Sequence, residues 1–428
     1  MRTALLQILL LLAASAVAQR PAPAPPQQRS VLITNATVHV GDGRVIEEGA
    51  VGFRNGNIDY VGYAYGVRGT YDTTVQAAGG HLYPGLILAD NTLGLHEIDL
   101  VRATNDEAEH GEMTPEVHAL TAYAADSRTT PTVRANGVLL AQITPRSGLV
   151  SGVSAVVQLD AWDNEDAPVR ARDGLHVNWP SAYSRSGWWA EPGSTNRAKD
   201  EERQRRIREL RLLFQRARAY GHDSTRVKDV QLDAVAGVFD GRMALYLHAQ
   251  AAREIQEAVL FAKEFNIPRP VIVGGYDAWR VADLLADRKV PVILARTHSL
   301  PLRDDDPVDL PYRIPYLLSE RGVRFCLSYT GEHERMGARN LPFTAGTASA
   351  HGLDREWALR AITLDAAFIL GIDKRYGSLE TGKSATLFLS TGDALDMRGN
   401  NVTLAFIDGR MIVLDDHQKV LYRQYLAR

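Results

Sequence analysis

The chain reads as a mixed α/β protein: a (β/α)8 barrel carrying a β-sandwich module made from its N- and C-terminal segments. Three observations predict this. Short apolar runs alternate with amphipathic helical stretches through the middle of the sequence. Hairpin signals, Asn55-Gly56-Asn57 near the start and Asp408-Gly409 near the end, mark antiparallel strands at both ends of the chain. The length, 428 residues, exceeds one ordinary compact domain and suits a large barrel with a smaller module.

Taken in order, residues 1–18 read as an export signal. Arg2 is the charged start, Ala4 to Leu12 the apolar run, and Ala16-Val17-Ala18 a small-residue cleavage site. The run is shorter than the roughly 20 apolar residues of a permanent span, so no stable membrane span is expected. Export points to the periplasm, with secretion or a signal anchor as alternatives. Residues 19–28 are Pro-rich and read as an extended tether. Residues 29–83 and 377–428 form the β module, through strands such as Ser30–Val40, Val51–Arg54, Ser384–Leu389 and Thr403–Ile407. Residues 84–376 supply eight barrel strands: Leu82–Ala89, Gly137–Thr144, Ser154–Leu159, Leu175–Trp179, Ala244–Leu247, Val271–Val273, Val290–Leu294 and Val323–Leu327. Helices are expected at Glu201–Tyr220, Ala252–Phe265 and Arg355–Leu370, the last stopped by Gly371.

The formal charge of −3 gives no reason to expect nucleic acid. The single Cys326 excludes an internal disulfide and Cys-based zinc sites, and its apolar setting reads as a buried inert thiol. Small molecules are the expected partners, and association with copies of itself or with another chain is open.

Tyr83-Pro84-Gly85-Leu86-Ile87-Leu88-Ala89-Asp90-Asn91-Thr92 resembles the first barrel strand of the metal-dependent amidohydrolase superfamily, where Pro-Gly and hydrophobes lead into Asp-x-His-x-His. Thr363 to Ile372 resembles the family's "T-x-N-P-A-x-x-L-G-I", and Tyr376 to Leu387 its "G-S-L-E-x-G-K-x-A-D-L". These closing motifs look nearest to the imidazolonepropionase-related branch. The resemblance implies a barrel whose strand ends carry metal ligands: His on strands one, five and six, a bridging Lys or Glu on strand four, and Asp on strand eight. Such a centre lowers the pKa of a water and polarises a carbonyl.

Set against that pattern, much of the ligand set is replaced. Leu88, Asp90 and Thr92 stand at the Asp-x-His-x-His positions. Gly274 or Gly275 stands for the strand-six His, and Tyr329 or Thr330 for the strand-eight Asp. At strand four only His176 is on offer. His248, ending Met243 to His248, matches strand five, so His248 and Asp90 are the candidate metal ligands. Two ligands at about 3 kcal/mol each leave about 6 kcal/mol, a dissociation constant of order tens of micromolar, so zinc or another divalent metal is expected to be held weakly or not at all. Glu332, His333 and Glu334, directly after strand eight, are the candidate catalytic groups. Arg146, Trp162, Tyr329 and Arg339 are candidate substrate-binding residues, while His96, Glu97 and His298 are lesser candidates. The resulting reading is an exported hydrolase of non-peptide C–N bonds or small amides with a degenerate or rebuilt metal site; the alternative is a non-catalytic barrel that binds a small ligand or partner chain.

Overall fold

The computed structural model describes residues 22–98, 100–182, 196–222, 227–331 and 334–428. The export signal and the first residues of the tether lie outside them, as do Glu332 and His333. Among the described residues no helix is long and apolar enough to cross a membrane.

The fold is mixed α/β. Its first strands are β1 (Val31–His39), β2 (Val45–Arg54), β3 (Asn57–Tyr63), β4 (Thr73–Gln76) and β5 (His81–Pro84). Through the middle run β6 (Leu86–Asn91), β7 (Val138–Ile143), β8 (Val150–Val153), β9 (Ala155–Gln158), β10 (Pro168–Arg170) and β11 (Gly174–Asn178). They are followed by β12 (Ala244–Ala249), β13 (Pro270–Gly274), β14 (Val292–Leu294) and β15 (Phe325–Leu327), and the chain closes with β16 (Leu387–Ser390), β17 (Val402–Ile407) and β18 (Arg410–Met411).

Strands from both ends of the chain share one eight-stranded sheet, in the order β18-β17-β16-β5-β1-β2-β3 with β4 also beside β1. The sandwich expected from the sequence is therefore one continuous hydrogen-bonded sheet. Its hairpins are the ones the dipeptides announce: Arg54 pairs Asn57 across Asn55-Gly56, and Ile407 pairs Arg410 across Asp408-Gly409. All four turn residues have positive φ, the geometry that matches strand twist. Ile33, Val38, Phe53, Ile58, Leu82, Leu387 and Phe406 fill the core of this sheet.

Two corrections apply at its edges. The Pro-rich tether is docked: Ala24 N donates to Asp160 Oδ2 at 2.8 Å, Gly56 N donates to Gln27 Oε1 at 2.7 Å, and Arg410 donates to the Ala24 carbonyl. The last residues leave the sheet as a helix, His417–Leu426, because the Asp416 side chain caps it by accepting from Lys419 N at 2.8 Å.

The middle strands form a four-stranded sheet, β10-β9-β7-β6, and a six-stranded sheet, β15-β14-β13-β12-β11-β8. The eight parallel strands of the sequence reading are not met, and among the described residues no unbroken ladder closes a barrel. The first sheet pairs β9 antiparallel to β7, and the second pairs β8 antiparallel to β11. Only a few residues, Thr144 to Leu149, separate β7 from β8. A parallel return needs a crossover of a dozen residues or more, so the chain must reverse. β8 and β9 are one stretch of chain broken at Ser154, and a parallel bridge between Ala89 and Ser328 links the far edges of the two sheets.

Side-chain alternation separates two cores. Ile87, Ala89, Leu140, Val156, Ala244, Tyr246, Val271, Val273, Ile293 and Cys326 pack with one another and with the helix Leu364–Leu370. Their neighbours in sequence, such as Leu86, Leu88, Leu139 and Leu245, pack with the outer helices Asn196–His222 and Ala252–Glu264. Cys326 is fully buried, and that burial pushes its thiol well up. The helix expected over Arg355–Leu370 is two, Arg355–Arg360 and Leu364–Leu370. Between them the Ile362 carbonyl turns outward to accept Ile87 N at 2.9 Å.

Candidate active site

Asp90 is placed by a bulge. Leu88 pairs Ala141 but Asn91 pairs Ile143, so three steps on β6 oppose two on β7. The extra residue takes up a left-handed conformation, Asp90 φ 48°, and its N–H donates to Gln142 Oε1 at 2.8 Å. A bulge of this kind re-aims a side chain, and here it turns the carboxylate into the mouth formed by the strand ends.

Two imidazoles meet it there. His176 on β11 stacks on Tyr246 at 4.5 Å between ring centroids, and its Nδ1 lies 2.9 Å from Nε2 of His248 on β12. One ligand atom from each of Asp90, His176 and His248 falls within 4.8 Å of the others. Burial pushes His176 well below the usual imidazole range; it also pushes His248 down, to about 4, against the pull of Asp90. Burial pushes Asp90 the other way, yet Arg146 and the two imidazoles outweigh it and hold the carboxyl at about 2. At neutral pH the cluster thus offers two lone-pair-bearing imidazoles and one carboxylate, the protonation states that metal binding needs.

Arg146 closes the site from the short reversal after β7. Nη1 donates to Asp90 Oδ1 at 2.6 Å, and Nη2 to the Asp90 carbonyl at 3.0 Å and to both oxygens of Glu334 at 3.2 and 3.3 Å. Burial works against the guanidinium charge, and Asp90 and Glu334 more than restore it. Glu334 also accepts from Thr92 N at 3.0 Å and Gly331 N at 3.1 Å, so both of its oxygens are committed.

The cluster opens into a cavity of about 460 Å³ lined by Asp90, His248, Arg146, Glu334, Glu107 and Gln250, among others. A second cavity of about 990 Å³ adjoins it and shares His248, Gln250, Gly274 and Thr330; Trp179, Tyr276, Leu302 and Ile314 line its apolar wall. Gln250 explains the vacant strand-six position. Gly274 has φ 97°, and a Cβ there would stand 2.2 Å from Gln250 Nε2, so the amide lies where the family's His side chain would project.

The sequence-derived residues fare differently. Asp90 and His248 come together, and Arg146 joins them as the ion-pair partner of Asp90. Glu334 is a clamp on Arg146 and on two backbone amides, while Glu332 and His333 lie outside the described residues. Tyr329 contributes its carbonyl, which accepts from Asn91 Nδ2 at 3.0 Å; its ring packs beside Gly337 and under Arg296. Arg339 is exposed, and its carbonyl accepts from Asn136, so the cavity is lined by Arg335 in its stead. Trp162 is a correction: it is 66% exposed and lines a separate cavity with Ala24, Tyr376 and Arg410. Because β9 runs against its neighbours, the loop that follows it leaves at the opposite end of the sheet. His298 bonds Thr347 Oγ1 at 2.7 Å.

Sequence reasoning gave no role to two groups. His176 was on offer at strand four, and strand alternation puts residues 176 and 178 on one face, a usable signal. Glu107 sits in an acid-rich loop with no motif to mark it. It lines the cavity, and its Oε2 lies 3.2 Å from His96 Nδ1.

Comparison with known proteins agrees with this architecture. An amidohydrolase from Thermotoga maritima MSB8 matches at TM-score 0.78 and 25% identity, over 90% of this chain and 99% of that one. The chain belongs, by fold, to the metal-dependent amidohydrolase superfamily. A prolidase complexed with N-methylphosphonate-L-proline matches this amidohydrolase fold at TM-score 0.55 and 14% identity, over 90% of this chain and 99% of that one. An adenosine deaminase from Xanthomonas campestris with bound zinc matches at TM-score 0.53 and 19% identity, over 94% and 99%. No protein-family model and no curated protein matches the sequence.

Proposed function

We propose that the protein is a hydrolase of amides or other C–N bonds in small molecules, working at a centre that holds a single divalent ion. The observation that carries this is the Asp90–His176–His248 cluster opening into the 460 Å³ cavity. Two imidazoles and a carboxylate are a donor set suited to zinc and similar ions, and three protein ligands with an open position are usual for a catalytic site. His176 lifts the ligand count from the two read in the sequence to three. At about 3 kcal/mol each, the three supply about 9 kcal/mol, a dissociation constant below about 1 μM. The two middle sheets, joined through Ser154 and the Ala89–Ser328 bridge, support reading them as one eight-staved barrel with its third stave reversed.

When bound, such an ion activates a water and polarises the scissile carbonyl. The chain's own residues do the rest. Asp90, His176 and His248 hold the ion. Glu107, backed by His96 Nδ1, presents a carboxylate to the cavity that can take a proton from the attacking water and return it to the leaving nitrogen. Gln250 and Thr330 line the passage into the larger, apolar cavity, where the rest of a substrate is accommodated. The neighbours named as a prolidase, a Xaa-Pro dipeptidase and an adenosine deaminase favour a C–N bond as the target. The imidazolonepropionase-like closing motifs make cyclic amides worth including.

The test is metal content after mild purification, followed by turnover of N-acyl amino acids, cyclic amides and dipeptides with zinc, manganese or cobalt. One equivalent of metal, and activity that falls about 100-fold in Glu107→Gln, is the expected result. One observation favours the second reading, a non-catalytic ligand-binding protein: Asp90 and Glu334 are both ion-paired to Arg146 without any ion. A protein inert across the panel, yet raised in melting temperature by one of its members, would establish it. We also propose export, on Arg2, the Ala4–Leu12 run and Ala16-Val17-Ala18; N-terminal sequencing of the protein recovered from cells tests it.

A further inference from the structure

We propose that the Arg146 guanidinium takes the place of a second cation in this centre and limits it to one divalent ion. The inference rests on the single-ion reading above but makes a separate claim about one residue. Nη1 and Nη2 together meet four oxygens: Asp90 Oδ1, the Asp90 carbonyl, and both oxygens of Glu334. Asp90 ends the first strand of the middle sheets and Glu334 follows the last, β15, so the guanidinium ties together carboxylates from elements far apart in sequence. A cation that gathers carboxylates from separate strand ends is what a metal ion does in a site of this kind, and a planar fork is the organic group best shaped to imitate it.

The position is built for the purpose. Arg146 arises from the short connection that reverses the chain between β7 and β8, and its own N–H donates to the Glu107 carbonyl at 2.6 Å, which fixes its backbone beside the cavity. Thr92 N and Gly331 N hold Glu334 in place to receive it. Charge points the same way. Asp90, Glu334 and Arg146 together carry a formal charge of −1. One divalent ion brings that to +1, whereas a second would bring it to +3, and the third carboxylate on the cavity, Glu107, offsets only one of these charges. The guanidinium therefore fills the space between Asp90 and Glu334 and removes the negative charge a second ion would need.

The test is titration of the purified, metal-stripped full chain with cobalt(II). Visible absorption and elemental analysis give the stoichiometry, and melting temperature is followed alongside. Wild type should saturate at one equivalent and Arg146→Ala at two, with the first equivalent bound about tenfold more tightly or better, because a nearby cation is gone. Arg146→Lys keeps the charge and should stay at one. Arg146→Ala combined with Glu334→Gln loses both partners and should also stay at one. Should Arg146→Ala fold only with metal, refolding it in cobalt gives the same readout, and a melting temperature that depends on cobalt in Arg146→Ala but much less in Arg146→Lys supports the inference.

Two equivalents in wild type, or one in folded Arg146→Ala, would overturn it while leaving the hydrolase reading standing. No metal in wild type with one equivalent in Arg146→Ala would overturn the single-ion reading but uphold Arg146 as the resident cation. No metal in either protein would overturn both.

Discussion

Asp90→Asn is the most direct probe of the site, because it keeps the shape of the side chain and removes its charge. Asp90 is 2% exposed, and its carboxylate accepts from Arg146 Nη1 at 2.6 Å. Breaking a buried ion pair costs about 3–5 kcal/mol, since the remaining charge stays buried. Asparagine still offers one carbonyl oxygen to the guanidinium, and Glu334 still pairs with Nη2, so the lower end, about 3 kcal/mol, applies. At an unfolding entropy of about 2.1 cal/mol/K per residue, a folded body of about 400 residues loses about 0.8 kcal/mol per degree at its midpoint. Asp90→Asn should therefore lower the melting temperature of the metal-stripped protein by about 4 °C in calorimetry near neutral pH. It should also weaken zinc binding by about 100-fold in competition with a chromophoric chelator, as expected from losing one ligand worth about 3 kcal/mol. A metal-stripped variant that melts within 1 °C of wild type would show that the Asp90–Arg146–Glu334 network does not carry this load (a threshold of about one quarter of the expected shift).

Other consequences follow from the same geometry. His176→Ala should also cost about 100-fold in zinc affinity, although the family pattern has Lys or Glu rather than His there, and the same chelator competition measures it. Gly274→Ala should lower stability by about 1–3 kcal/mol in denaturant titration, because alanine is strained at φ 97° and its Cβ displaces the Gln250 amide. In the terminal sheet, burial and then the neighbouring His39 push His81 below its usual value, so its neutral form is the one the fold favours. That contribution is complete above about pH 6.5 and is lost as pH falls through the lower folded value. The melting temperature should fall between pH 7 and pH 5, and His81→Gln should flatten part of that fall. Trp162→Ala should leave turnover unchanged, since Trp162 faces a different cavity; a kcat loss above about tenfold would put it back at the site.

What the sequence disclosed about the fold was mostly local. Asn55-Gly56 and Asp408-Gly409 specify their turns because both residues of each must take positive φ, and few other pairs do so cheaply. Pro84-Gly85 and the hydrophobes after it place β6, since Gly85 leaves room for nothing larger: a Cβ there would stand 2.8 Å from Thr386. The division of Arg355–Leu370 into two helices was not legible, because the break at Ile362 serves a carbonyl needed by Ile87, a partner more than 270 residues away. The candidate ligand His176 was visible as a residue but not as a ligand, since the family pattern assigns that place to a different side chain.

The antiparallel run of β8 and β9 decides which loops reach the site. In an all-parallel barrel every strand delivers the loop that follows it to one face, which would set Arg146 and Trp162 on the same side. The length of the connection removes the equivalence. With so few residues between β7 and β8 no crossover helix fits, so the chain turns back at the mouth and leaves Arg146 there, while the next loop, Asp160–Asp166, emerges at the far end. That loop is then free for structural duty. Asp160, 4% exposed, bonds Arg134, the Ala24 amide and Arg410, and so fastens the tether and the terminal sheet to the middle strands. One short loop thus accounts both for the cation at the site and for the acidic anchor on the opposite side. Lengthening the Thr144–Leu149 connection should disturb Arg146 first and the Asp160 anchor only through unfolding of the whole.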